Sequence, residues 1–115
     1  MKNWIGLSIV AIGGIHTVFG IVFLRPTLLE LWQEGLFNTV NGQPVREACF
    51  WFLFAGAAMA MIGALVNHLE KQGTSFPRFL GWSLLTIAVS VVFIMPASGG
   101  WLMLVPAIGA LLKNH

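Results

Sequence analysis

Charge is what this sequence has least of. Only 9% of its 115 residues are Asp, Glu, Lys or Arg, against about 25% in a soluble globular domain. With 57% hydrophobic residues and a mean hydropathy of +0.85, there is too little polar surface to cover a water-soluble globule. The composition points to an integral membrane protein with one small domain. Six basic residues face four acidic ones, and they form no stripe or cluster, so nucleic acid is not an expected partner. Cys49 is the only cysteine, which excludes an intrachain disulfide and leaves the redox compartment unread. Phosphate-binding glycine loops, C-x-x-C, C-x-x-C-H and H-x-x-x-H are all absent. Nucleotide binding, thioredoxin-type exchange and covalent haem attachment therefore have no support.

What is present is long apolar sequence, broken in few places. Residues 3–24 carry no fixed charge, and 22 helical residues rise about 33 Å, enough for a hydrocarbon core of roughly 30 Å. Arg25-Pro26 closes this stretch, because proline disfavours helix at the residue before it. Residues 48–69 make a second stretch without Asp, Glu, Lys or Arg, and 79–112 a third. The third would be about 51 Å long as one helix, too long for one crossing. "MPASGGW", 95–101, divides it at turn-forming residues into spans of about 79–95 and 98–112. The expected fold is an all-α integral membrane bundle of four transmembrane helices in a single domain, 1–115. The first span is longer than a signal-peptide core and no small-residue cleavage site follows it, so it is expected to stay as a mature helix.

Between the first two spans, "PTLLELWQEGLF", 26–37, sets leucines, Trp32 and Phe37 against Glu30, Gln33 and Glu34. This pattern predicts a short amphipathic helix over about 27–37 in the outer interface, with Thr27 as N-cap and Glu30 completing a capping box. "NGQP", 41–44, predicts a turn, with Pro44 in the first turn of the next helix and Glu47 close behind it, at the positive end of that helix dipole. Lys2, Lys71, Arg78 and Lys113 fall on one side of the membrane, Arg25 and Arg46 on the other. That bias predicts cytoplasmic termini. Trp4, Trp51, Trp82 and Trp101 lie near span ends, where an aromatic belt belongs.

The conspicuous residue is His16, inside the first span in "GGIHTVFG". Gly6, Gly13 and Gly20 recur every seven residues, as do Ile9, His16 and Phe23, offset by three. Together they make a heptad seam on which His16 faces a neighbouring helix. Span two offers Gly56, Ala60, Gly63, Ala64 and Asn67 in return. Ser83, Thr86 and Ser90 share one face of span three. Counting depth at 1.5 Å per residue, His16 lies about 12 Å below the outer edge, level with Gly56 and close to Thr86 and Ser90. No carboxylate, lysine or second histidine is expected at that level: His68 lies about 18 Å further in, and His115 is terminal. A histidine offers a polar handle there without a permanent charge.

In size and layout, with the glycine-flanked histidine in its first helix, the chain resembles the small uncharacterised four-helix membrane proteins of bacteria, including those grouped as DoxX-like. The resemblance covers the whole chain. It implies a bacterial inner-membrane location and an unassigned function, and it carries over no functional residue.

Ionisable residues at membrane depth are functional candidates. The expected site is therefore a cavity anchored by His16 and built with Gly13, Gly20, Gly56, Thr86 and Ser90, its mouth formed by Arg25, Arg46, Glu47 and Trp101. It would hold an apolar or amphipathic ligand: a lipid, a quinone-like molecule or an isoprenoid. One alternative is a membrane enzyme, an isomerase or hydrolase, using His16 as acid/base with Glu47 as the second group. Another is a structural or assembly subunit in which His16 bonds a hydroxyl or a backbone carbonyl between helices. A haem would need a second protomer's histidine, or Met59 or Met103, as its other axial ligand. No metal site is expected. The expected partners are the bilayer, the lipophilic ligand and a second copy of the chain. A transporter is disfavoured by the lack of a membrane-depth carboxylate and of paired halves.

Overall fold

The computed structural model describes residues 3–96 and 100–113. Among them are five helices and no strand: α1, Ile5–Phe23; α2, Arg25–Gln33; α3, Pro44–Lys71; α4, Arg78–Ile94; and α5, Gly100–Lys113. α1 and α3 are long and apolar enough to cross a membrane, each with a mean hydropathy of 2.1 over its apolar window. Only 28% and 22% of those windows are buried by the rest of the chain. A core helix of a soluble protein would hide most of its apolar surface, whereas these two turn theirs outward, as helices surrounded by lipid do. α4 and α5 are shorter apolar helices. Their 17 and 14 residues rise about 26 and 21 Å. The expected break at 95–101 falls between them, with 97–99 outside the described residues.

The amphipathic helix begins and ends earlier than the sequence pattern predicts. Arg25-Pro26 does not stop the chain: α1 closes with Leu24 N–H on Gly20 O, and α2 starts at once, Leu28 N–H bonding Leu24 O. Pro26 falls in the first turn, where no N–H is needed. Thr27 is thus inside α2, the N-cap is Leu24, and no side chain caps it. The expected capping box does not form. At the other end Gly35 has φ +90°. Its N–H bonds Trp32 O while Leu36 N–H reaches Leu31 O, a Schellman close that only a left-handed residue permits. Gly73, φ +71°, ends α3 in the same way, with bonds from Gly73 N–H to Glu70 O and Thr74 N–H to Leu69 O.

The long helices form an open row in the order α3, α1, α5, α4. α1 packs along α3 and against α5, and no Cα of α4 comes within 8 Å of α1 or α3. The expected proximity of Thr86 and Ser90 to the first helix is not found in this row. Packing is tightest at the end holding the start of α1. There Ile5, Ile9, Val66, Phe76, Leu84, Ala107 and Ala110 form the buried cluster. The opposite end is covered by α2 and by residues 34–43.

Candidate functional site

Glycine brings α1 and α3 together. A Cβ on Gly13 would stand 3.1 Å from Ala60 N and 3.2 Å from Gly56 O, and one on Gly63 would stand 2.6 Å from Val10 N. Gly6 lies directly on the Asn67 backbone, Gly20 against Phe52 and Leu53, and Gly56 against Thr17 and His16. The seven-residue glycine spacing therefore marks the α1–α3 seam, and His16 is opposite Gly56 as the depth count places it.

On that seam His16 Nε2 is 2.7 Å from the carbonyl of Phe52. A carbonyl only accepts, so Nε2 donates the bond. The imidazole also stacks on the Phe52 ring, 3.9 Å between centroids and 14° between planes. Thr17 Oγ1 donates to Gly13 O, within its own helix. Thr86 and Ser90 do not join His16. They sit on exposed positions of α4, bonding Trp82 O at 2.8 Å and Thr86 O at 2.7 Å. The physical reason is the open row: α4 packs on α5, so its hydroxyl face never meets α1.

The predicted mouth residues separate in the same way. Arg46 is buried, and its guanidinium grips Glu34 through two bonds, Nη1 to Oε1 at 2.8 Å and Nη2 to Oε2 at 2.6 Å. It also reaches Thr39 O at 2.9 Å and Glu30 Oε1 at 3.5 Å. This fork fastens the end of α2 to the start of α3. The charge-assisted bond from Arg46 holds the Glu34 carboxyl below its ordinary value. Glu47 accepts the N–H of Gly42 at 3.1 Å, fixing the turn before α3, and no hydrogen bond joins it to His16. Trp101 lies in the first turn of α5 and donates to Pro96 O at 2.9 Å; no Cα of α5 comes within 8 Å of α2 or α3.

Two half-open pockets lie at the α2 end. One, of about 480 Å³, is lined by Leu31, Leu36, Thr39, Glu47, Phe50 and Trp51, with Asn38, Val40 and Asn41 at its rim. The other, of about 550 Å³, runs along Ile21, Val22, Leu28, Leu29 and Trp32, with Arg25 its one charged group. Leu31 and Leu36 belong to both. His16 lines neither. The loop beside the first pocket holds Leu36 and Asn38 at φ +67° and +53°, a strained backbone for residues with side chains. Among the described residues no three His, Cys, Asp or Glu side chains gather to hold a metal ion.

Sequence reasoning passed over Glu70. It is buried in the last turn of α3, and its carboxylate accepts Ile5 N–H at 3.1 Å and Gly6 N–H at 2.7 Å, capping α1 from another helix. A carboxylate there lies at the negative end of its own helix dipole. That mismatch is a signal that it serves something else.

No curated protein and no solved structure matches the chain. One family does, along residues 1–115. Covering the full length, that match identifies the chain as a member of DUF6463, a family of unknown function.

Proposed function

We propose that this chain is a four-span membrane protein, its termini cytoplasmic and its α2 end outside, that binds one amphipathic small molecule between α2 and the start of α3. The observation that carries this reading is the pair of pockets sharing Leu31 and Leu36. Each lies in the volume range of small-molecule sites and has an apolar wall with few polar groups, as such sites do. The ligand's chain would follow the leucines toward the bilayer, and its head would meet the rim. A lipid, a quinone-like molecule or an isoprenoid has this shape.

In this reading His16 is the pin beneath the site. Its Nε2 is engaged by Phe52 O and one ring face is covered by Phe52, so the seam there is direct helix contact. That observation favours a second reading, in which the chain is an assembly subunit and binds no small molecule.

Photocrosslinking decides between them. A diazirine-tailed phospholipid, irradiated with the protein in native-lipid nanodiscs, is expected to label residues 28–36 and 50–51. Label spread evenly over all lipid-facing helices would overturn the ligand reading. So would a protein that purifies free of any co-isolated small molecule.

A further inference from the structure

The two pockets differ in charge. Arg46 is spent on Glu34 and Glu30, but Glu47 makes no ion pair among the described residues. Three carboxylates, Glu30, Glu34 and Glu47, stand at this end against two guanidiniums, Arg25 and Arg46, leaving it one negative charge in excess. Beside Glu47, one helical turn on, Phe50 and Trp51 line the pocket. They pack edge to face at 5.0 Å, and Phe54 stacks on Phe50 at 5.2 Å. All three rings are exposed. A carboxylate next to aromatic faces attracts a cation through both its charge and the ring quadrupoles.

Hydration narrows the kind of cation. One Glu47 oxygen takes Gly42 N–H, and the wall beside it is the faces of Phe50 and Trp51. A primary ammonium is compact and strongly hydrated, and ring faces offer it no hydrogen-bond acceptor in return for the water it would lose there. A quaternary ammonium donates no hydrogen bond, sheds water readily and is held by ring faces.

We propose that the pocket lined by Glu47, Phe50 and Trp51 binds the quaternary ammonium head of a cationic amphiphile, whose apolar tail lies along Leu31 and Leu36. The proposal rests on the ligand reading above and names the ligand class for that same site. Arg25 lies in the neighbouring pocket and Arg46 is neutralised, so neither opposes the head at Glu47.

The test uses the whole protein in dodecyl maltoside micelles. Dodecyltrimethylammonium, dodecylamine and dodecyl sulfate are titrated separately and followed by tryptophan fluorescence. Saturable binding of the trimethylammonium is expected, weakened about tenfold in Glu47→Gln and in Trp51→Leu, which is the scale of one desolvated cation–π or ionic contact. In Glu47→Gln the new amide oxygen still accepts Gly42 N–H, so equal melting temperatures exclude misfolding as the cause. Equal binding of all three amphiphiles, abolished by Leu36→Asp, would overturn the cation assignment and leave the ligand reading standing. Preference for the sulfate would do the same and point to Arg25. No saturable binding of any of them would overturn both.

Discussion

The carboxylate of Glu70 accepts the N–H of Gly6 at 2.7 Å, so the last turn of α3 caps the first turn of α1 across 64 residues of sequence. Orphan N–H groups at a helix start need an acceptor wherever water is scarce. Glu70→Ala removes the acceptor of both Ile5 and Gly6 and is expected to cost about 1–3 kcal/mol. Glu70→Gln, which keeps one carbonyl oxygen, should lose less. Thermal unfolding of the detergent-solubilised protein measures both. An alanine variant as stable as the parent would show that the cap is dispensable.

The seam predicts a graded glycine series. A methyl group on Gly6 or Gly63 would run into backbone of the facing helix, so Gly6→Ala and Gly63→Ala should separate α1 from α3 and abolish monodisperse protein. Gly14 has nothing within 4 Å. Gly14→Ala should be neutral or stabilising by up to about 1 kcal/mol, because alanine loses less backbone freedom than glycine in a helix. Size-exclusion profiles of the three variants test the order.

Particular residues show how far the sequence could be read. The seven-residue glycine spacing identified the α1–α3 seam because close approach of two backbones leaves no alternative residue. The rise per residue, counted from the span ends, places His16 opposite Gly56. Thr86 and Ser90 were misplaced for a different reason. Periodicity says which side chains share a face of α4, but not which helix that face meets, and α4 packs on α5. Arg25-Pro26 reads in the sequence as an end to the first span, and the structure makes it the first turn of α2 as well, because a proline needs no N–H partner there. The Arg46–Glu34 fork depends on where the left-handed Gly35 turns the chain, which charge patterns do not encode. The pockets at the α2 end arise from that same turn.

His16 yields a comparison of three variants. His16→Phe keeps an aromatic ring to stack on Phe52 but cannot donate to its carbonyl. Its loss should be about 0.6 kcal/mol, the mean for hydrogen bonds between membrane helices. Glutamine restores a donor without the stack and should fall near it. Lysine brings a permanent charge into the apolar seam and should be far worse, reducing expression and monodispersity. Lysine tolerated as well as glutamine would mean that His16 faces water.

The last prediction concerns acid. Arg46 donates to Glu34 and holds its carboxyl below the ordinary value of 4.5. Folded protein therefore resists taking up a proton that unfolded protein accepts near 4.5. The stability the fork supplies is complete above that value and is lost as pH falls below it, through the lowered value of the folded state. Both carboxylates of the fork are largely exposed, so solvent screens the pair and the effect should be small and salt-sensitive. Glu34→Gln should melt below the parent at pH 7, and the gap should close on acidification below 4.5. The melting difference between parent and variant, recorded from pH 7 to 3 in a non-ionic detergent, checks the direction. A gap that stayed constant over that range would mean that the Glu34 carboxyl is not what Arg46 needs to fasten α2.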